Sequence, residues 1–213
     1  FNGEIVGDGS HPETDVAVDP IDGTSLTASG RGNAISVIAV SERGTMFDPG
    51  PCFYMEKVAV GPEAVGSIDI TASPTQNLKW VAKAKGESVR DLTVMILDRP
   101  RHDDLIAEVR STGARIKLIS DGDLSAAISC AVSGTGVHAV MGIGGAPEGV
   151  LAAAALKCIG GDFQGILKFR NKEEAERAKA MGVTDPNRVY SMEDLARSDV
   201  MFAATGVTFG DFL

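Results

Sequence analysis

From residue 93 onward the sequence alternates short apolar runs with amphipathic stretches of about a dozen residues, and few architectures accept that order. Residues 93–97 (TVMIL), 115–119, 137–143, 163–167 and 200–204 read as strands, and 102–112, 124–132, 147–159 and 172–181 as helices. In the first helix Leu105, Ile106 and Val109 share one face and Gly113 follows as a C-terminal stop. In the third, Pro147 sits near the first turn and Gly160-Gly161 lies past the end. This alternation predicts an α/β fold with βαβ units. Upstream, 16–18, 33–40 and 57–60 read as strands, 67–70 as a further one, and 74–85 as a helix opened by Pro74 and stopped by Gly86. Residues 1–15 are polar and Gly-rich, with an exposed loop at 7–10. The reading divides the chain into a region over 1–90 and an alternating β/α region over 91–213.

At 213 residues the chain can bury a real core, and 44% hydrophobic with 23% charged residues is an ordinary globular composition. A net charge of −9 argues against a nucleic-acid partner, because the average field repels a phosphate backbone. The longest apolar run, 150–156, is too short to cross a bilayer. Cys52, Cys130 and Cys158 lie far apart, without a CxxC pair or a signal peptide, which points to a reducing cytoplasm; Cys130 and Cys158 fall in apolar helical patterns and are expected to be buried thiols. His11, His102 and His138 are scattered, which disfavours a zinc site, and no GxSxG elbow supports a Ser-His-Asp triad. Trp80 reads as core or interface.

The chemistry concentrates in Asp19-Pro20-Ile21-Asp22-Gly23-Thr24, directly after the apolar run 16–18. Asp19 and Asp22, spaced i, i+3 across a Pro turn, can aim at one point, and oxygen donors of this kind suit Mg²⁺ or Mn²⁺. Gly23 allows close backbone approach, its N–H and that of Thr24 can cradle a phosphate, and the Thr24 hydroxyl would lie beside a polarised water. Taken as isolated residues, the same letters make an ordinary Asp-Pro and Asp-Gly turn.

Three more polar clusters fall between a strand and its helix, where open α/β sheets bind ligands. In Asp98-Arg99-Pro100-Arg101-His102 the two arginines can clamp a phosphate, or form a solvated turn paired to Asp103 or Asp104. In Asp121-Gly122-Asp123 the carboxylates can accept from sugar hydroxyls, with Asp123 also placed to cap the next helix. In 142–149 glycines precede a Pro-started helix, with Glu148 in its first turn able to reach a metal or simply to complement the helix dipole. This run is neither a dinucleotide fingerprint nor a P-loop. Tyr54, opening Tyr54-Met55-Glu56-Lys57, reads by itself as a packing residue.

Asp19-Pro20-Ile21-Asp22-Gly23-Thr24 resembles the motif of the lithium-sensitive, metal-dependent sugar and inositol phosphatases. With Tyr54-Met55-Glu56-Lys57, Arg99-Pro100-Arg101-His102, Asp121-Gly122-Asp123, Gly144-Gly145-Ala146-Pro147-Glu148-Gly149 and Ala204-Thr205-Gly206-Val207-Thr208, the chain is similar to class II fructose-1,6-bisphosphatase along nearly its whole length. The resemblance implies a layered α/β/α/β/α sugar-phosphatase fold and hydrolysis of the 1-phosphate of fructose 1,6-bisphosphate in gluconeogenesis, with Mg²⁺ or Mn²⁺. It implies Asp19, Asp22 and Glu148 as metal ligands, with Asp19 and Thr24 in the catalytic step and Thr24 orienting the attacking water. It further implies a substrate site of Asp22, Gly23, Thr24, Tyr54, Arg99, Pro100, Arg101, Asp121, Gly122, Asp123 and Gly145. A cytoplasmic homo-oligomer, dimer or tetramer, acting on a small sugar bisphosphate, is the expected form. The family's N-terminal helical region, with an acidic segment that supplies further metal carboxylates, and a C-terminal segment after Thr208 are expected to be missing, leaving one metal site half built. The alternatives are sedoheptulose-1,7-bisphosphatase, an inositol-type monophosphatase and a non-catalytic fragment.

Overall fold

The computed structural model describes residues 3–211 and Leu213. The chain opens with β1 (Thr14–Asp22), the short α1 (Thr24–Ala28), β2 (Ile35–Glu42) and β3 (Tyr54–Val60), followed by α2 (Pro74–Lys85). Then come β4 (Thr93–Leu97), α3 (Asp103–Ser111), β5 (Arg115–Ile119), α4 (Asp123–Ser129), β6 (Ala139–Gly145), α5 (Ala146–Ile159) and β7 (Asp162–Lys168). The final elements are α6 (Lys172–Ala180), β8 (Val189–Ser191), α7 (Met192–Leu195) and β9 (Val200–Gly206).

The strands form a six-stranded sheet in the order β5-β4-β6-β3-β7-β8 and a three-stranded sheet β1-β2-β9. The alternating pattern holds for the segment that carries it. β4 is parallel to both β5 and β6, and β6 and β7 run the same way because both are antiparallel to β3 between them. The sheet is therefore mixed, not the purely parallel one that βαβ alternation suggests: β3 comes from far upstream and inserts head-down between two strands joined by α5. The two regions read from the sequence share both sheets, since β3 joins the larger one and β9 pairs with β2.

Apolar faces set the layers. Leu78 and Val81 of α2, with Ile106 and Val109 of α3, bury one face of the large sheet against Val58, Val94 and Ile96. On its other face α4 and α5 fill the space up to Ile35, Val37 and Ala39 of the small sheet. α5 lies between two sheets and is apolar all round; its run of alanines from Ala152 to Ala155, at most 1% exposed, lets both sheets approach closely. Among the described residues this gives four layers of the α/β/α/β/α order, with Val16, Val18, Ile38 and Met201 exposed on the far face of the small sheet.

Several local expectations change. β1 continues through the hexapeptide to Asp22, with an irregular register between Asp19 and Asp22, where Pro20 cannot donate to the ladder. Residues 67–70 form no strand; the Gln164 side-chain amide donates to the Ile68 carbonyl (3.0 Å) and accepts from the Ile70 N–H (2.8 Å), taking a neighbouring strand's place. Asp123 is not the cap of α4: Gly122 is, and Asp123 lies inside the first turn. Cys52 is buried, but Cys130 is only half-buried, and Cys158 is exposed near the end of α5, where its thiol donates to the Val200 carbonyl at the start of β9 (3.3 Å). Trp80 is 37% exposed.

Candidate active site

The carboxyl ends of β4, β5 and β6 open on one edge of the large sheet. Because β3 is antiparallel to β6, its amino end meets that edge too, with Tyr54 opposite Gly145. β1 delivers Asp22 to the same place from the other sheet, where its Oδ2 accepts from the Ser125 N–H at 3.1 Å. A cavity of about 400 Å³ results. Asp19, Asp22, Gly23 and Thr24 line it from β1 and α1, Tyr54 from β3, and Arg99 and Arg101 from the loop after β4. Asp121, Asp123, Gly145 and Glu148 complete it from the ends of β5 and β6. Of the residues expected here, Pro100 and Gly122 do not line the cavity: Pro100 opens a 3₁₀ turn and Gly122 turns the chain into α4.

The two Asp-Gly turns brace each other. Gly23 and Gly122 are both helix N-caps in the left-handed region, at φ 88° and 82°, a conformation that costs a side chain about 1–2 kcal/mol. Neither glycine can cap its own helix, and each helix is served by the aspartate before the other glycine. Asp121 Oδ2 accepts from the Ser25 N–H of α1 at 3.0 Å, and Asp22 Oδ2 accepts from the Ser125 N–H of α4.

The arginines are held by backbone rather than by Asp103 or Asp104. Arg99 donates to the carbonyls of Asp98 (2.9 Å) and Ser120 (2.7 Å). Arg101 forks onto the Ile143 carbonyl at 3.2 and 2.8 Å and stacks over the Tyr54 ring at 5.2 Å. His102, which is buried, donates from Nδ1 to the Leu97 carbonyl (2.7 Å) and accepts at Nε2 from the Ile143 N–H (2.7 Å), a pattern only the neutral imidazole can make. Arg101 and His102 thus hold both backbone polar groups of Ile143 near the end of β6.

The acidic side of the cavity carries strained charge. Burial, aided by the neighbouring Asp123 carboxylate, pushes the Asp22 acid up to about 8. Burial also raises Asp19 and Glu148, and the Lys57 ammonium works against the shift at Asp22 and Glu148. Glu148 Oε2 is buried without a hydrogen-bond partner among the described residues. An orphaned carboxylate oxygen beside further aspartates is a donor set for a hard cation. Among the described residues no three such side chains stand close enough to enclose an ion by themselves. Such an arrangement fits a Mg²⁺-like ion, which keeps several waters and binds one or two carboxylates together with substrate phosphate.

Residues 1–213 match the family described as bacterial fructose-1,6-bisphosphatase, glpX-encoded. The chain belongs to this family. Proteins of Microcystis aeruginosa and Synechocystis sp., both named D-fructose 1,6-bisphosphatase class 2/sedoheptulose 1,7-bisphosphatase, are 48% identical to it over 214 residues. A protein of the same name from Crocosphaera subtropica is 47% identical. Each match covers 94% of this chain and 62% of the relative, so the chain spans less than two thirds of the length of these curated relatives.

Sequence reasoning left Phe53 and Leu97 out of the cavity lining, and placed Ile21, Gly144 and Lys57 in motifs without counting them among the site residues. The positions of Phe53 and Gly144 follow from the antiparallel pairing of β3 with β6, for which the local sequence carries no signal. No helix among the described residues is long and apolar enough to cross a membrane.

Proposed function

We propose that this chain carries the substrate-facing part of a divalent-metal-dependent phosphatase that converts fructose 1,6-bisphosphate to fructose 6-phosphate and phosphate, in gluconeogenesis. The convergence of two arginines and five carboxylates from four separate segments on one cavity of about 400 Å³ carries this reading. A sugar with a phosphate at each end needs two anion-binding regions, and the cavity offers cationic and carboxylate sides that can serve them. Arg99 and Arg101 grip the phosphate that does not react, with their forks already oriented by backbone carbonyls. Asp121 and Asp123 accept from sugar hydroxyls, while Gly23 and Gly145 let the ester approach the backbone. Asp19, Asp22 and Glu148, one or two to an ion together with substrate phosphate and water, would hold Mg²⁺ or Mn²⁺, which when bound supplies Lewis-acid polarisation of the phosphoryl oxygens and of water. The Thr24 hydroxyl orients the attacking water.

The names of the relatives favour a second substrate, sedoheptulose 1,7-bisphosphate, at the same site. We place the protein in the cytoplasm as a homo-oligomer. The test is phosphate release by the intact protein from fructose 1,6-bisphosphate, sedoheptulose 1,7-bisphosphate and inositol 1-phosphate, with Mg²⁺ or Mn²⁺ and after chelation. Hydrolysis of both bisphosphates, abolished by chelator, is the expected result. Equal kcat/KM on inositol 1-phosphate, or activity that survives chelation, overturns the assignment.

A further inference from the structure

We propose that Lys57 is a positioning residue of this site, an internal counter-ion that holds the Asp123 carboxylate aimed at the sugar of the bound ester. The inference rests on the sugar-phosphatase reading above. Along β3 the alternate residues Met55 and Ala59 belong to the core that packs on α5, so position 57 between them is one where an apolar side chain is the default. It is instead a lysine whose side chain is 6% exposed, with Nζ 2.6 Å from Asp123 Oδ2. Buried lysines are almost always paired, and this partner lines the substrate cavity.

The surroundings are cut to fit the pair. Across the sheet Lys57 faces Gly142 of β6 and Gly165 of β7, so the stem runs between two residues without side chains. Above it, a Cβ at Gly144 would fall 1.9 Å from Asp123 Oδ2 and 3.0 Å from Lys57 Nζ. The ion pair occupies the volume a side chain at 144 would take. Asp123 makes no capping bond to α4, so nothing in its own helix fixes its carboxylate; Lys57 takes one oxygen from below and leaves the other for the cavity. A charged hydrogen bond aimed in advance reduces the ordering cost when a sugar hydroxyl arrives.

The experiment compares K57M, D123N, K57M/D123N and G144A in the intact protein. Readouts are steady-state hydrolysis of fructose 1,6-bisphosphate with Mg²⁺ and calorimetric binding of fructose 6-phosphate to metal-free protein. K57M should raise KM and weaken fructose 6-phosphate binding roughly tenfold while kcat changes by less than about threefold. D123N should match it, and the double variant should lose no more than either single one, because each breaks the same device. The double variant removes both charges of the pair together, so it keeps the test readable if K57M alone fails to fold. G144A keeps both charges but displaces them, and should reproduce the KM effect. Wild-type KM in K57M, additive losses in the double variant, or a kcat collapse at unchanged KM overturns the positioning role. A wild-type protein that neither hydrolyses nor binds these sugar phosphates removes the functional reading and this inference with it; failure of the variant pattern in an active protein removes only the inference.

Discussion

Replacing Asp121 with alanine should loosen a helix that Asp121 does not belong to. In the structure its Oδ2 accepts from the Ser25 N–H in α1 at 3.0 Å and its Oδ1 accepts from the Gly122 N–H at 3.1 Å. Removing a helix cap costs roughly 0.5–2 kcal/mol. Ser25 is exposed, so water replaces part of the lost bond, and about 1 kcal/mol is the fitting figure. For a chain of this size that corresponds to a melting temperature lower by roughly 2–4 °C. Locally, it corresponds to roughly fivefold faster amide exchange where α1 opens. Asp22→Ala is the mirror experiment with a larger cost, because Ser125 is 3% exposed and Asp22 5%. Its stranded N–H should cost about 1–3 kcal/mol.

The decisive assay is hydrogen exchange by mass spectrometry on metal-free protein. Asp121→Ala should accelerate exchange in residues 24–28 and Asp22→Ala in the first turn of α4, each effect crossing to the other segment. Uncrossed effects, with Asp121→Ala loosening only its own neighbourhood around residues 121–126, would refute reciprocal capping. So would an unchanged melting temperature in both variants.

Gly23→Ala places a Cβ at φ 88° and 2.9 Å from Leu26 Cδ1; a stability loss of about 1–2 kcal/mol in urea melts is expected, and a neutral effect would show that α1 can re-form with another cap. On the proposed role of Arg101 as a clamp on the non-reacting phosphate, Arg101→Ala should raise KM more than it lowers kcat; a kcat collapse at constant KM would place this loop at the transition state. Leu156→Ala empties a side chain with no exposure in the layer between the sheets and should cost roughly 2–5 kcal/mol by chemical denaturation. Burial holds the His102 pKa below its ordinary value of 6.5, so the unfolded chain takes up a proton that the fold refuses. Its contribution is complete above about pH 6.5 and is lost as pH falls from there through the folded pKa. Stability of the wild type should therefore fall more steeply between neutral and mildly acidic pH than that of His102→Gln; parallel curves would remove His102 from the acid response.

How much of this was legible in the sequence depends on the distance over which each interaction is decided. The segment from β4 to β7 was readable because periods, caps and stops are local: Gly113 past α3, and Pro147 at the head of α5 with Gly160 past its end, mark those boundaries from within a turn. The cavity-lining residues on strand ends were readable for the same reason, since a carboxyl strand end in such a sheet is where polar loops gather. What stayed hidden was set by chain segments meeting from afar. β3 carries the same letters whether it runs parallel or antiparallel, and its direction decides that Tyr54 faces Gly145 at the site rather than the opposite edge. Asp123 looked like the cap of α4 because Asp before an apolar run usually is one. The αL turn at Gly122 moves it one place into the helix, and the capping bond passes to Asp22, 103 residues from the Ser125 N–H that donates to it. Lys57 stands within a motif yet shows no task in the sequence, because its partner and the glycines that clear its path lie on α4, β6 and β7. The carboxylates that line the cavity advertise themselves by their turns. A residue that only holds one of them in place shows itself as an exception to the burial pattern, and that exception becomes visible once the strand's neighbours are known.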